Sequence, residues 1–328
     1  MTRTVSAFSE EPSHFEFSAS LDLSIIILNY KTPDLTLTCL ESLYINTSGL
    51  DYEAILVDNA SEDGVLKKVE ESFPKTRTVC NLANLGFSGG NNAGIRISKG
   101  RYVVLLNSDA RLKENSFLKI VRYLDTYPKI GVATPKVVDE EGAVSAMRFH
   151  QDTPQDACMR VLGLYDETRE RELMGEEKIK EVESIGGPCF FIRRTLLESI
   201  GLLDENYFLY NEEDDFCRRA LQYGSRVIYF PETQVIHLRG KTTHLPEIRR
   251  KVIIETYLSN LYFYRKHYSP IWNLVLRILY RVTFGLGLFR CAWRHLIRKA
   301  TSEADDSIGL KVKLLFLAPS SVSKHRTS

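Results

Sequence analysis

Short apolar runs, polar turns and helically spaced segments follow one another along the first third of the chain. Residues 23–28 (LSIIIL) form an apolar run of strand length, the pattern of a strand covered on both faces in a parallel sheet. A polar turn over 29–34 leads into a helix predicted over 35–44. A second strand at 54–57 ends at Asp58 and precedes a helix over 65–73. A third strand, 102–106 (YVVLL), runs into Asn107-Ser108-Asp109, with a helix over 116–127 and a short strand over 130–133 before Pro135. Strand, polar turn and helix in repetition predict an α/β fold with a parallel sheet. Ligands of such sheets sit at the carboxyl ends of the strands, here marked by Asn29, Asp58 and Asp109.

The pattern weakens from Lys136 to Lys180, and the charge-dense stretch 166–180 reads as a mobile or variable segment. Order returns at 184–194, 208–222 and 226–237, and no internal repeat is visible. The tail from Pro270 differs. Its apolar sequence is punctuated by Arg277 and Arg281, then by Arg290, Arg294 and Arg298, each four residues after the last within its group. That spacing puts a basic stripe on an apolar helix. The longest charge-free stretch, 282–289, contains Gly285 and Gly287 and is too short to span a bilayer, for which ~20 apolar residues are needed. Two readings stand: a helix lying in a membrane interface with its arginines reaching lipid headgroups, or a helical pair packed on the catalytic domain.

Composition narrows the class. The chain has 328 residues, enough for two domains or one large one, and its 44% hydrophobic and 26% charged content excludes disorder and collagen-like repeats. With 43 Lys+Arg against 42 Asp+Glu there is no basic surplus for binding nucleic acid through bulk charge. The six cysteines, Cys39, Cys80, Cys158, Cys189, Cys217 and Cys291, lack zinc-knuckle spacing and read as reduced, mostly buried thiols of a cytoplasmic protein. The first twenty residues form a polar lead-in without the apolar core of a signal peptide.

Five segments carry chemistry. Asp109 ends a buried strand, where a carboxylate either holds a hard cation bridging a diphosphate or merely caps a turn. Asp58 meets a base or ribose, or caps the next helix. The glycine-dense 84–94 (NLGFSGGNNAG) matches neither the dinucleotide fingerprint nor the P-loop. It precedes a predicted helix whose N-terminus favours an anion. Tyr210-Asn211-Glu212-Glu213-Asp214-Asp215 sets four carboxylates at a helix start, either a solvated, dipole-favoured turn or the wall of a pocket. His237 follows an apolar strand and gains interest only beside a cation-binding acid.

Taken together, these segments resemble the family 2 inverting glycosyltransferases of GT-A fold, particularly a bacterial rhamnosyltransferase-like branch. The matching stretches are SIIILNY (24–30), ILVDNAS (55–61), residues 84–94, LLNSDA (105–110), GGPCFFIRR (186–194), FLYNEEDDFCRRA (208–220) and VIHLRGKTT (235–243), in the family's order. The resemblance implies a Rossmann-like mixed sheet flanked by helices, with a C-terminal amphipathic helical extension. It implies a lead-in over 1–21, a nucleotide-sugar half over 22–135, an acceptor half over 136–244 and a helical, membrane-associated tail over 245–328. By the same resemblance Asn29, Asp58, Asn84, Gly86, Asn91 and Asn107 contact the nucleotide, with 84–92 closing over ribose and phosphates. Asp109, seconded by His237, holds Mg²⁺ or Mn²⁺. Glu213 occupies the base position, where the family has Asp, and Asp215 orients it; the choice among the neighbouring acids stays open. The implied activity is transfer of a sugar from dTDP-rhamnose or a UDP-sugar to a cell-envelope glycan or lipid-linked saccharide. The expected setting is the inner face of the cytoplasmic membrane, on an anionic surface, with no nucleic acid involved. A metal-dependent nucleotidyltransferase and a non-catalytic sugar-nucleotide-binding scaffold are the alternatives.

Overall fold

The computed structural model describes residues 21–145, 147, 149–166, 177–238 and 246–297. The lead-in, residues 167–176 of the charge-dense stretch, residues 239–243 and Arg298 lie outside them. Nine strands form one sheet: β1 (Leu21–Asn29), β2 (Tyr52–Asp58), β3 (Arg77–Cys80), β4 (Gly100–Asn107), β5 (Ala110–Arg111), β6 (Ile130–Val138), β7 (Lys180–Glu181), β8 (Cys189–Arg193) and β9 (Arg226–His237). Their order is β3-β2-β1-β4-β8-β6-β9-β5, with β7 also on β9. The first four are mutually parallel, β8 runs against both β4 and β6, and β6 and β9 are parallel again. The sheet is therefore mixed, and among its long strands only β8 is reversed.

Helices cover both faces, as the unbroken apolar strands require. On one side α1 (Pro33–Asn46), α2 (Val65–Ser72) and α4 (Ser116–Thr126) bury Leu40, Val69 and Phe117 with Ile25 and Ile27 of β1. On the other α3 (Gly86–Ile97), α6 (Arg194–Ile200) and α7 (Glu212–Gln222) bury Ile95, Leu197 and Phe216 with Ile26. Two further helices, α8 (Pro246–His267) and α9 (Pro270–Ile297), pack on each other and on α5 (Pro154–Leu162) around Tyr257, Leu261 and Leu276.

Three expectations change. The glycine-dense segment does not precede a helix; it is the helix, from Gly86 onward. Each interior glycine costs roughly 0.5–1 kcal/mol relative to Ala, but a Cβ at Gly94 would lie 2.6 Å from Ile26 and one at Gly90 2.5 Å from Leu28. Close seating on the sheet is what these glycines provide. Second, β6 does not stop before Pro135. It continues to Val138 through a register shift at Pro135/Lys136, the kind of irregularity at which a strand tolerates proline. Third, the weak-pattern region contains α5, started by a reciprocal capping box between Thr153 and Asp156 and ended by Gly163 at φ 72°. Of the cysteines described, Cys39, Cys189 and Cys217 are buried, Cys158 is half-buried and Cys80 is exposed, all with free thiols.

Candidate active site

The carboxyl ends of β1, β2 and β4 lie abreast, Asn29 beside Asp58 and Leu28 beside Asn107. Asn29 is fully buried. Its Nδ2 lies 2.9 Å from Asp58 Oδ1, 2.9 Å from Ser61 Oγ and 3.0 Å from Asp63 Oδ2, while its Oδ1 accepts from Thr36 at 2.8 Å. Asp58 also accepts from the Ser61 N–H at 3.3 Å. The two side chains thus clamp the turn after β2, where Ala60 and Glu62 hold left-handed φ values of 58° and 54°. They shape the corner from behind.

The surface of that corner is built by Asn59, which the sequence reading passed over. Its Nδ2 donates to Asn84 Oδ1 at 2.9 Å and to the Gly86 carbonyl at 3.1 Å, and its Oδ1 accepts from the Leu85 N–H at 3.0 Å. One amide therefore ties β2 to the start of α3. Gly86 has φ +74°, and a Cβ there would sit 2.3 Å from the Phe208 carbonyl, which accepts from the Phe87 N–H at 2.7 Å. Asn91 is buried inside α3 and donates to the Phe87 carbonyl.

Asp109 and His237 come together through the sheet. The two-residue β5 pairs Ala110 with His237, and the Leu238 N–H donates to the Asp109 carbonyl at 3.0 Å. This leaves His237 Nε2 3.1 Å from Asp109 Oδ1. Among the described residues no third His, Cys, Asp or Glu completes a metal-binding cluster. A carboxylate and an imidazole at one strand end fit a cation that takes its remaining ligands from phosphate oxygens and water.

The first turn of α7 lines the same cavity as this pair. Tyr210 and Asn211 enter it in left-handed conformation, with φ 69° and 67°. Each of the four acids then meets a different environment. Glu212 is buried, and desolvation pushes its carboxyl up to about 8, with Asp214 and Asp215 adding to the rise. Glu213 Oε1 accepts from the Gly187 N–H at 3.1 Å, and Asp214 accepts from the Ser184 hydroxyl. Asp215 is fully buried, and burial alone would raise it. His267 Nε2 at 2.7 Å, Arg219 Nε at 2.8 Å and Lys266 Nζ at 2.6 Å instead hold it well below the usual carboxylate range. The flanking aromatics divide: Phe208 and Tyr210 reach the cavity, whereas Tyr207 and Phe216 are core.

These parts enclose one cavity of about 370 Å³, within the usual size of small-molecule sites. Of the residues expected to act there, Asn84, Gly86, Asn107, Asp109, Glu213 and His237 line it. Asn29, Asp58, Asn91 and Asp215 stand behind that wall. Asn59, Ser108, Gly187 and Glu212 join the lining, as do Lys251 and Glu255 of α8. Asn59 adjoins the singled-out Asp58 and Glu212 the singled-out Glu213, so adjacency pointed to both. Lys251 and Glu255 carry no local signal, because charged residues four apart on a helix look like a solvated face.

Comparison with known proteins accords with this architecture. Residues 24–201 match the family Glycosyl transferase family 2. The chain is 31% identical over 204 residues, 61% of its length, to the low-salt glycan biosynthesis hexosyltransferase Agl10 of Haloferax volcanii, and spans 61% of that protein. It is 24% identical over 249 residues to an N-acetylglucosaminyl-diphospho-decaprenol L-rhamnosyltransferase of Mycobacterium tuberculosis, covering 71% of this chain and 80% of that one. Among solved structures, the mannosyltransferase PcManGT of Pyrobaculum calidifontis, in complex with GDP-Man and Mn²⁺, aligns with TM-score 0.53 at 16% identity over 97% of this chain and 87% of its own. GalNAc-T7 with UDP, GalNAc and Mn²⁺ aligns with TM-score 0.53 at 16% identity, over 74% and 50% respectively. At that identity the likeness shows the fold, which is GT-A.

Proposed function

The chain belongs to glycosyl transferase family 2, and on that premise we propose that it transfers a sugar from dTDP-rhamnose or a UDP-sugar to a hydroxyl of a cell-envelope glycan or lipid-linked saccharide, with inversion. One observation carries the reading. A single cavity has the Asp109–His237 pair on one wall and the acidic turn of α7 on another. Asp109 and His237 would hold Mg²⁺ or Mn²⁺, which when bound supplies positive charge to the departing diphosphate. Asn59 ties the start of α3 to β2 so that the corner lined by Asn84 and Gly86 faces the nucleotide, with Asn29 and Asp58 fixing the turn beneath.

On the acidic wall Glu213, positioned by the Gly187 N–H, accepts the proton of the acceptor hydroxyl. The oxygen so released bonds to the anomeric carbon as the bond to the diphosphate breaks, and the nucleoside diphosphate leaves. One displacement inverts the centre, and no covalent enzyme intermediate is needed. Asp215 acts at a distance: ionised and held by Arg219, Lys266 and His267, it fixes α7 so that Glu213 keeps its place. The names of the relatives in Haloferax and Mycobacterium support a glycan or lipid-linked acceptor.

Purified protein is tested by thermal melting with UDP, dTDP and GDP, with Mn²⁺ and again with EDTA. A metal-dependent rise selective for one nucleotide, abolished by Asp109→Ala, is expected. Release of pyrophosphate instead of nucleoside diphosphate in a turnover assay would point to the nucleotidyltransferase alternative.

The same reading includes a peripheral, cytoplasmic-face membrane site. Among the described residues no helix is long and apolar enough to cross a membrane. Helix α9 buries Leu276 against the domain while Ile271, Leu274, Ile278, Val282 and Leu286 form an outward row, each at least 50% exposed, with Arg281 exposed alongside. An apolar row bordered by arginine matches an anionic lipid surface. Because α9 also packs inward, deleting it would damage the domain; substitution on its outer face is the sounder test. Leu274→Gln/Ile278→Gln/Val282→Gln should abolish co-sedimentation with phosphatidylglycerol vesicles, and unchanged binding would sink the membrane reading.

A further inference from the structure

The acids in the first turn of α7 are not equally satisfied. Glu213 has the Gly187 N–H, Asp214 has Ser184, and Asp215 has Arg219, Lys266 and His267. Glu212, at the head of the turn, is 3% exposed and lines the cavity, yet its Oε2 meets no hydrogen-bond partner among the described residues. Folded proteins seldom leave a buried polar oxygen unpaired, and such exceptions concentrate where a ligand completes the set.

The approach to Glu212 is held from outside the turn. Asn211 Nδ2 donates to Asn260 Oδ1 of α8 at 2.8 Å, and the Leu209 carbonyl accepts from the Ser259 hydroxyl of α8 at 2.9 Å. These contacts brace the left-handed pair Tyr210–Asn211 that turns the chain into α7. Helix α8 thus braces the turn that presents Glu212, whose Oε2 has no hydrogen-bond partner among the described residues. Burial also favours the neutral carboxyl at Glu212. A neutral carboxyl is a hydrogen-bond donor as well as an acceptor, and a sugar hydroxyl can answer in either role.

We infer that Glu212 is a carbohydrate-binding residue: its buried, unpaired carboxyl oxygen hydrogen-bonds a hydroxyl of the acceptor sugar, next to the hydroxyl from which Glu213 takes the proton. The inference rests on the function proposed above and deepens it. Two adjacent acids divide the work, one holding the acceptor and the other reacting with it. No proton leaves Glu212 during turnover.

The test separates holding from reacting. Nucleoside diphosphate release is measured with dTDP-rhamnose, UDP-glucose and UDP-N-acetylglucosamine as donors and octyl glycosides of glucose, mannose and N-acetylglucosamine as acceptors. kcat and both KM values are then determined on the best pairing. Glu212→Ala should raise the acceptor KM at least about tenfold, the loss expected for one good hydrogen bond, and leave the donor KM within about twofold. Glu212→Gln, which keeps an N–H donor and a carbonyl acceptor, should stay within about threefold of wild type. A Glu212→Gln variant as dead as Glu213→Gln would make Glu212 the base and overturn the inference. An unchanged acceptor KM in Glu212→Ala, or a rise confined to the donor KM, overturns it too. If Glu212→Ala fails to melt cooperatively, Glu212→Leu takes its place, with the Mn²⁺-dependent nucleotide shift as the check on folding. A wild type inactive with every pairing counts against the function itself, a result distinct from an active wild type whose Glu212 variants match it.

Discussion

The two walls of the cavity are made of different material. The wall at the ends of β1 and β2 is held through two amide side chains, Asn29 on the carboxylates of Asp58 and Asp63 and the hydroxyls of Ser61 and Thr36, and Asn59 on Asn84 and the backbone at Leu85 and Gly86. The wall at α7 is held by charge, and its anchors, Lys266 and His267, come from the far end of α8. Hydrogen bonds between neutral groups contribute about 0.5–1.5 kcal/mol each and charged ones about 1.5–3. Asn59, whose bonds join neutral groups, should therefore yield less to a single substitution than Asp215.

The sharpest way to divide the two walls is through turnover. Glu213→Gln should lower kcat by roughly 10²–10⁴-fold, the range for loss of a general base, while Mn²⁺-dependent nucleotide binding, a property of the other wall, persists. Parallel loss of both would erase the distinction. Next in size is Asp215→Ala. It leaves Arg219, Lys266 and His267 clustered without their anion, and breaking such a buried pair typically costs about 3–5 kcal/mol. Urea unfolding checks this, and a cost below about 1 kcal/mol would place the network among surface ion pairs. On the amide wall Asn59→Ala should cost only about 1–3 kcal/mol, with nucleotide affinity falling more than acceptor affinity. A larger loss than that of Asp215→Ala would reverse the comparison.

The smallest effect is in pH, and its sign differs between two acids of the same turn. Asp215 is depressed in the folded protein, so its stabilisation is present above the ordinary carboxylate value of about 3.9 and is lost as pH falls below it. Glu212 is raised to about 8 in the folded protein. Its contribution is full below the ordinary value of about 4.3 and wears away as pH climbs toward the raised one. Melting temperatures of Glu212→Gln and wild type should therefore diverge between pH 5 and 8, with the variant gaining. A constant difference across that range would contradict the burial of an ionisable carboxyl there.

Legibility in the sequence followed the range of the interactions. The cores of β1, β2 and β4 were plain because burial on both faces writes itself as an apolar run, and the ordered stretch 226–237 coincides with β9. The helix over 86–97 was misplaced because glycine's poor helix propensity is visible locally, whereas the closeness of Ile26 and Leu28 that rewards it is not. The capping box of α5 was present in the sequence, Thr153 followed by Asp156, but with Asp where Glu or Gln is the usual partner. At the site, the ends of strands and the acid run announced themselves by composition. The division of labour within that run did not, since what separates Glu212 from Asp215 is the supply of partners from α8. Lys251, Glu255, Lys266 and His267 lie well beyond the acids in sequence and read as an ordinary charged helix.

That dependence on α8 sets a clock during synthesis. A nascent chain emerges from its N-terminus, and its early portions begin to fold first. Once β4 is out, the strand ends and the amide corner have all their residues, but Asp215 must wait for Lys266 and His267, and the turn at Tyr210–Asn211 for Ser259 and Asn260. A ribosome stalled before α8 would therefore hold a chain with every residue of the amide corner and an acidic turn still without its anchors. Those anchors arrive late in translation, together with the helix pair that carries the outward apolar row.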